Sequence, residues 1–185
     1  MLRRALVWGL LLLGVVAVGQ GSWIFAKASL AQVLLRRAWA QAQAGEERAR
    51  PWPWADTWPV ARLLSPEHGV DLIVLEGATG SSTAFGPGHL QGTALPGAEG
   101  NVVLAAHRDT HFRFLQGLAP GAPLWIEQPS GAAQRYLVQG ASVVDEHDTR
   151  LLAAQGEWLT LVTCYPFDAA LPGGPLRYVV RARRA

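Results

Sequence analysis

The chain has 185 residues, a formal charge of +2 at pH 7 and a sequence pI of about 9.1. Its arginines are concentrated near the two ends, and no basic run with interleaved aromatic side chains occurs between them. "RARR" at 181–184 is therefore interpreted as a solvated basic segment, and nucleic-acid binding is not expected. A chain of this length has room for one domain with a substantial core.

The first predicted element is a membrane-spanning helix. Residues 5–26 follow Arg3 and Arg4 and contain no charged side chain, and a run of this length spans a bilayer as a helix. Trp8 near one end and Trp23 near the other agree with the preference of indole rings for the two membrane interfaces. We therefore predict a single span that holds the rest of the chain at a membrane.

The boundary of this anchor is placed at residue 27. "AKA" at 26–28 resembles the small-residue cleavage site of a signal peptide, which is the competing interpretation. The uncharged run is longer than the usual hydrophobic region of a signal peptide, and this favours an uncleaved signal anchor over residues 1–27. With the amino terminus inside the cell, everything after residue 27 is exported as one unit.

Residues 28–56 form a predicted linker. The part up to residue 50 is rich in Ala, Gln, Leu and Arg and contains no proline, a composition typical of a helix. "ARPWPWADTWP" at 49–59 then places prolines among tryptophans, which ends the helix and indicates an extended segment laid on the folded domain by its indoles. The main domain is therefore predicted over residues 57–185.

Short apolar runs separated by Gly and Pro replace the helical pattern after residue 57. Each run has the length and composition of a β-strand. Together they predict an all-β domain whose sheet closes into a barrel or a sandwich, with short helical turns at "STAFGPGHL" and "DTRLLAAQG". The predicted strands are "PVARLLSP", "VDLIVLEG", "GNVVLAAH", "PLWIEQPSG", "AQRYLVQGASVVDE", "EWLTLVTCY" and "PLRYVVRAR".

Cys164, in "TLVTCYPF", is the single cysteine of the chain. An exported domain with one cysteine closes no intramolecular disulfide, so a free thiol is kept in an oxidising compartment. Such a thiol is either a small apolar core residue or a nucleophile. In the predicted strand Cys164 shares a face with Thr160 and Val162. The strand ends there, beside loops of the kind in which sites usually form.

A nucleophilic cysteine needs a partner that takes its proton, and histidine is the usual one. His107 follows the apolar run "NVVLAA" and opens the polar loop "HRDTHF", while His111 in the same loop is its rival. The two are spaced as in helical zinc sites, but the glutamate of that motif is missing and the preceding segment has strand character, so no metal site is expected. The other histidines lie in turn-like stretches, where a solvated side chain is the default: His68, His89 and His147.

Arg177 carries a positive charge on the predicted strand that follows the Cys164 strand. An oxyanion formed by thiolate attack on a carbonyl needs hydrogen-bond donors or a cation close by. A strand-loop-strand connection can bring Arg177 alongside Cys164, where it would also favour the thiolate. The competing interpretation is a charge on the solvated face of an edge strand.

The stretches "NVVLAAHRDTHFRFL", "TLVTCYPF" and "RYVVRA", in this order, resemble the sortases, the membrane-anchored cysteine transpeptidases of bacteria. "TLVTC" fits the TLxTC motif of that family at every fixed position. "HRDTHFRFL" and "VTCYPFDA" are most similar to the proteobacterial class GN sortases, although Ala105 and Ala106 stand where Ala-Gly or Ser-Gly often precedes the family histidine. Papain-like proteases are disfavoured, since their local cysteine signature is missing and their histidine follows the cysteine.

The resemblance implies an eight-stranded sortase-type β-barrel and roles for four residues. Cys164 would be the nucleophile and His107 the general acid and base. Arg177 would position the substrate and stabilise the oxyanion, and Thr163 would assist it there. The mechanism needs no cofactor.

The resemblance also implies a reaction and partners. Sortases cleave an LPxTG-like sorting signal of an exported protein after its threonine, hold the acyl chain as a thioester and pass it to an amine. Some sortases use calcium, but a surface turn explains the densest carboxylates here, Asp145, Glu146 and Asp148. A class GN sortase would serve one dedicated target from the inner membrane of a Gram-negative cell, facing the periplasm. Two alternatives stay open: a thiol endopeptidase that releases its target to water, and a non-catalytic peptide-binding barrel.

Overall fold

A computed structural model describes residues 8, 14, 26–27, 29–152, 155–169, 171 and 173–185 of the chain. The predicted membrane span over residues 5–26 lies outside the described residues except at Trp8, Gly14 and Ala26. Within the described part, no helix combines the length and the apolar character needed to cross a bilayer.

Helix α1 covers residues 29–43 and lies against the barrel. Its buried side chains are spaced three and four residues apart, so they form one apolar face, as expected for a helix packed on a larger body; they are Ala31, Leu35, Ala38 and Trp39. The Gln32 side-chain amide donates to the carbonyl oxygen of Phe85 at 2.9 Å and ties the helix to the domain. The helix ends before Gly45, whose φ of 97° is a left-handed conformation that favours glycine.

Eight strands form a closed barrel in the order β1-β2-β3-β4-β7-β8-β6-β5. The barrel agrees with the all-β prediction, and all seven predicted runs contain a strand. The strands are β1 Pro59–Ser65, β2 Val70–Glu76, β3 Gly88–His89, β4 Asn101–Ala105, β5 Pro123–Glu127, β6 Ala133–Asp145, β7 Trp158–Tyr165 and β8 Leu176–Arg184. The short helical elements are α2 Gly80–Thr83 and the 3₁₀ turns Pro66–His68, Arg113–Gly117 and Thr149–Leu151.

The stretch "STAFGPGHL" differs from the prediction of a helical turn. Only its first two residues belong to α2, and its end forms strand β3, which pairs with β2 in parallel and with β4 antiparallel. The close approach of two backbones explains this, because a Cβ at Gly88 would lie 2.3 Å from the carbonyl oxygen of Gly77. Glycine at this position therefore allows a two-residue strand that periodicity cannot reveal.

The interior of the barrel is filled by alternate side chains of its strands. On β7, Leu159 and Leu161 point into the core and are fully buried. Cys164 has the opposite parity, so it lies on the outer face of the strand with Val162. Cys164 and Val162 share a face, as predicted, and this face lies outside the packed core.

The pairing of β4 with β7 is parallel, and this sets the geometry of one end of the barrel. Ala105 at the end of β4 is the partner of Val162 on β7, and the amide of Ala106 continues the ladder by donating to the Val162 carbonyl at 3.2 Å. Because both strands run in the same direction, the residues that follow them emerge at the same edge of the sheet.

Candidate active site

Three neighbouring strands bring the predicted site residues to one edge of the barrel. His107 lies two residues beyond the end of β4, and Cys164 lies two residues beyond Val162, the β7 partner of Ala105. On the other side of β7, Cys164 is directly opposite Arg177 in the antiparallel ladder with β8. Residues far apart in sequence are therefore adjacent because of strand order β4-β7-β8.

Cys164 is a free, partly exposed cysteine at the wall of a cavity of about 280 Å³. The described residues that line this cavity come from the loop after β4 and the loop after β7: His107, Arg108, Asp109, Cys164, Phe167, Ala169 and Gly173. An accessible thiol and an imidazole that line one cavity are the pair of groups used in cysteine nucleophilic catalysis.

The loop that carries His107 is fixed at both ends. Thr163, buried on β7, donates its hydroxyl proton to the carbonyl oxygen of Ala106 at 2.7 Å. The amide of Phe112 donates to the carbonyl oxygen of His107 at 3.0 Å, and the Phe112 ring is fully buried. The His107 side chain itself is exposed, so a rigid turn presents a solvent-accessible imidazole to the cavity.

Thr163 was predicted to assist at the oxyanion. Its hydroxyl instead contacts the backbone beside His107, on the face of β7 opposite to Cys164. The observed contact suits a residue that positions the histidine loop, and a direct contact with substrate stays a prediction.

His111 occupies a different environment from His107. It is half-buried, and the burial lowers the pKa of its imidazole, with a smaller contribution from the nearby His107. It lines two other cavities, one beside His68 and one beside α1, and is not among the described residues that line the Cys164 cavity. The structure therefore separates the two histidines that spacing left as rivals.

The Arg177 guanidinium is held by acceptors next to the cavity rather than by the cavity lining. Nη1 donates to the carbonyl oxygens of Gly174 and Leu176, at 2.7 and 3.0 Å, and Nη2 donates to the Glu146 carboxylate. The side chain is one-quarter exposed. These three acceptors hold the cation in place on β8, opposite Cys164 in the ladder.

Arg108 is a site residue that sequence reasoning missed. Its side chain is buried, and Nη2 donates to two carbonyl oxygens of the loop after β7, those of Ala169 at 3.0 Å and Leu171 at 2.6 Å. Nη1 is also buried and has no hydrogen-bond partner among the described residues. One guanidinium therefore ties the loop of His107 to the loop that follows Cys164.

An aromatic cluster forms the wall beside the thiol. Tyr165 stacks on Tyr178 with ring centroids 6.1 Å apart, and Phe167 meets both rings edge to face. Phe167 also lines the Cys164 cavity. This wall offers an apolar surface for a substrate side chain beside a polar reaction centre.

The remaining histidines lie away from the cavity. His147 is exposed, as predicted, and contacts Asp145. His68 is half-buried and contacts Ser65. The prediction of a solvated His89 is wrong, because its ring is 2% exposed and is enclosed where β3 pairs with β4.

Among the residues that the structure describes, no three His, Cys, Asp or Glu side chains converge as a metal site would require. The titratable side chains that line the Cys164 cavity are the thiol itself, the His107 imidazole, the Arg108 guanidinium and the Asp109 carboxylate.

Comparisons with known proteins identify the family and several relatives of the chain. A family model described as "Sortase domain" matches residues 64–185. Sortase D of Bacillus subtilis (strain 168) is 32% identical over 124 residues, which are 66% of this chain and 62% of the relative. The chain thus spans less than two thirds of the length of that curated relative.

Two solved structures share the fold and part of the sequence. Sortase A from Corynebacterium diphtheriae aligns with a TM-score of 0.63 and 29% identity, over 71% of this chain and 63% of that one. Sortase E1 from Streptomyces coelicolor, solved with a tripeptide in its active site, aligns with a TM-score of 0.59 and 26% identity, over 69% and 88% of the two chains.

Proposed function

Since the chain belongs to the sortase family, we propose that it is a cysteine transpeptidase that cleaves an LPxTG-like signal of an exported protein and transfers the acyl group to an amine. The observation that carries the proposal is that the ends of β4 and β7 bring an exposed imidazole, His107, and a free thiol, Cys164, into the lining of one cavity. A thiol that served only as core would point into the barrel interior with Leu159 and Leu161.

The first half of the reaction forms the acyl-enzyme. The Cys164 thiolate attacks the carbonyl carbon of the threonine in the signal, and the carbonyl electron pair moves onto oxygen. When this tetrahedral intermediate collapses, the carbon–nitrogen bond breaks. His107, protonated, gives its proton to the leaving amine, and the threonine acyl group remains on Cys164 as a thioester.

The second half reverses the proton transfer. An incoming amine attacks the thioester carbonyl and loses a proton to the now neutral His107. The carbon–sulfur bond breaks, an amide forms and the thiolate is restored. One peptide bond is broken and one amide is made, so the cycle needs neither an oxidant nor a metal.

Arg177 is proposed to stabilise the oxyanion in both halves. A preorganised cation in a partly dry site stabilises developing negative charge without reorganising solvent. The acceptors that hold it, Glu146 and the carbonyls of Gly174 and Leu176, keep it opposite Cys164 until a substrate oxygen replaces one of them. Thr163 supports this arrangement by holding the backbone beside His107.

A peptide substrate is supported by the shape and lining of the site. The cavity is small and has one aromatic wall, at Phe167, which suits an extended peptide with an apolar side chain. Sortase E1 of Streptomyces coelicolor, which aligns with this chain, was solved with a tripeptide in its active site. The resemblance of the stretches around His107 and Cys164 to class GN sortases supports the proposed sorting motif and the proposed assignment to that class.

The cellular setting is proposed from the sequence. Residues 1–27 would anchor the protein in the inner membrane, residues 28–56 would link the anchor to the catalytic domain over 57–185, and that domain would face the periplasm. The partners would be an exported protein carrying the signal and an amine acceptor.

The test is a product analysis of the full-length protein in detergent with a panel of LPxTG-like peptides. Each peptide is incubated with and without triglycine, an amine too weakly nucleophilic to cleave a thioester unaided, and the products are identified by mass. A transpeptidase joins the threonine acyl group to the amino group of triglycine.

Three other results would overturn the proposed transpeptidase. Threonine carboxylate as the sole product, whatever the amine, would identify a thiol endopeptidase. An intact but bound peptide would identify a non-catalytic peptide-binding barrel. Products that persist in Cys164→Ala would exclude the thioester mechanism.

A further inference from the structure

An apolar patch lies open on the outer side of α1 and the segment after it. Leu30 and Trp54 line one groove, and Val33 lies one helical turn after Leu30 on α1. These three side chains form the patch, and their exposed fractions are 58% for Leu30, 56% for Val33 and 82% for Trp54. Single exposed apolar residues are ordinary on soluble domains, but a neighbouring set that includes an almost fully exposed indole marks an interaction surface.

The patch is a second apolar face of α1. The first face, with Leu35 and Trp39, packs against the barrel. Leu30 and Val33 lie three residues apart on the outward side. A helix that served only to cover the barrel would carry polar side chains there.

The position of Trp54 is structurally supported, although its ring is exposed. Trp52, two residues earlier, packs edge to face on Phe85 with ring centroids 5.0 Å apart. Leu30, Trp52, Trp54 and Phe85 line a shared groove of about 580 Å³. The indole is thus presented by an ordered segment and not by a loose tail.

The groove meets the end of the predicted membrane span. That span ends at residue 26, and Lys27, the next residue, lines the groove. The chain therefore leaves the bilayer within a few residues of the patch, so the surface closest to it is the lipid interface itself.

The charged residues around the patch favour contact with a lipid surface. Exposed Arg36 and Arg37 lie on the next turn of α1, and basic side chains beside an apolar face favour membranes with anionic headgroups. Asp56 is the one carboxylate among the described residues of the groove lining. Tryptophan prefers the boundary between headgroups and acyl chains.

We propose that the patch formed by Leu30, Val33 and Trp54 inserts into the interface of the bilayer that holds the anchor. This inference rests on the proposed membrane anchor. Docking would lay the start of α1 along the membrane surface and fix the orientation of the barrel. A cavity lined by Lys27, Thr110 and His111 lies between the start of α1 and the loop that begins with His107, so that loop would lie close to the membrane.

The test uses lipid quenching of tryptophan fluorescence in the full-length protein. The protein is reconstituted into vesicles of phosphatidylcholine and phosphatidylglycerol whose acyl chains are brominated near the glycerol end. Trp54→Phe is compared with Trp23→Phe, which removes the indole predicted at the same interface. Trp158→Phe is the matched control, because Trp158 lies on β7 and its indole donates to Gln155.

The proposal predicts that Trp54→Phe removes lipid-quenchable emission to an extent similar to Trp23→Phe, whereas Trp158→Phe removes only emission that lipid does not quench. If only Trp23→Phe removed lipid-quenchable emission, the proposed anchor would stand and the proposed docking of the patch would be wrong. No loss in either variant would overturn the anchor as well. If Trp54 were shielded from acrylamide but not quenched by lipid, the occupant would be a protein, such as a second copy of the chain, and the proposal would be wrong.

Discussion

One histidine lies on β3 and another lies just beyond the end of the adjacent strand β4, and their surroundings are opposite. His89 on β3 is buried; its Nε2 lies 3.0 Å from the Ala94 carbonyl oxygen and 3.2 Å from the Thr93 hydroxyl, and its Nδ1 lies 3.5 Å from the Glu76 carboxylate. His107, beyond the end of β4, is exposed and lines the cavity of Cys164.

The comparison shows what makes a histidine available for chemistry. A ring enclosed by protein acceptors stabilises the fold but cannot reach a substrate. A ring on a rigid turn with an open face can exchange protons with a bound molecule. Changes at His89 are therefore expected to lower stability, and changes at His107 are expected to lower activity.

The largest difference is expected from the pair His107→Asn and His111→Asn. If His107 is the general acid and base, its replacement lowers acyl transfer by roughly 10²- to 10⁴-fold, the usual contribution of such a group. His111→Asn keeps most of the activity, because His111 lies outside the described lining of the Cys164 cavity. Turnover of the best peptide measures both; an equal loss in the two variants would mean that the loop, and not His107, is required.

Arg177→Gln tests whether Arg177 stabilises the oxyanion. Removing one stabilising donor costs on the order of 10²- to 10³-fold in kcat. Arg181→Gln is the matched control, since Arg181 lies on the same face of β8 and stacks on Trp158. Single-turnover acylation rates distinguish the two, and similar rates for Arg177→Gln and the wild type would remove Arg177 from the mechanism.

His89→Asn is expected to affect stability. Loss of buried hydrogen-bond partners costs about 1–3 kcal/mol, so the free energy of unfolding falls while activity per folded molecule is retained. Urea unfolding and turnover of the same samples measure both quantities. A selective loss of turnover with unchanged stability would contradict the assignment of His89 to the fold.

Arg108→Lys is expected to loosen the link between the two active-site loops. Lysine keeps the charge but lacks the planar fork, so the bonds to the carbonyls of Ala169 and Leu171 weaken and kcat/KM falls roughly tenfold, about the effect of one charge-assisted hydrogen bond. Hydrogen exchange should increase locally in residues 166–175. The exposed Arg113→Lys serves as control, and unchanged exchange in Arg108→Lys would show that the loop is held by other contacts.

The smallest expected effect is a pH dependence from His111. Burial lowers the pKa of this imidazole below its usual 6.5, so between the two values the unfolded chain binds the proton more readily than the folded one. Stability is therefore retained above about pH 6.5 and declines as the pH falls towards the folded pKa. Urea unfolding on both sides of that pH should show a weaker decline in His111→Gln than in the wild type.

The sequence predicted the barrel well where single strands carry their own signal. Runs such as "VDLIVLEG" have strand length and composition whatever their partners. β3 was missed because a two-residue strand arises only from the close packing of Gly88 on Gly77, a contact between distant parts of the chain. For the same reason the burial of His89 was not foreseen.

The candidate site was predicted unevenly. Cys164 was singled out as the one cysteine of a domain predicted to be exported, whereas the choice of His107 over its loop neighbour His111 depended on family resemblance. The parallel pairing of β4 and β7, which brings His107 beside Cys164, is a tertiary property. Arg108 was missed because an arginine in a polar loop looks solvated, and only the structure shows its buried contacts with Ala169 and Leu171.

The central claim is that the thiol of Cys164 is the nucleophile of an acyl transfer. The most direct measurement is intact mass spectrometry of the full-length protein mixed with an LPxTG-like peptide, with Cys164→Ala as the matched variant. The expected result is a mass increase equal to the acyl fragment ending in threonine, which is lost on addition of hydroxylamine and is absent from Cys164→Ala. An adduct of the same mass on Cys164→Ala, or no adduct with any peptide of a varied panel and a Cys164 inert to iodoacetamide, would contradict it.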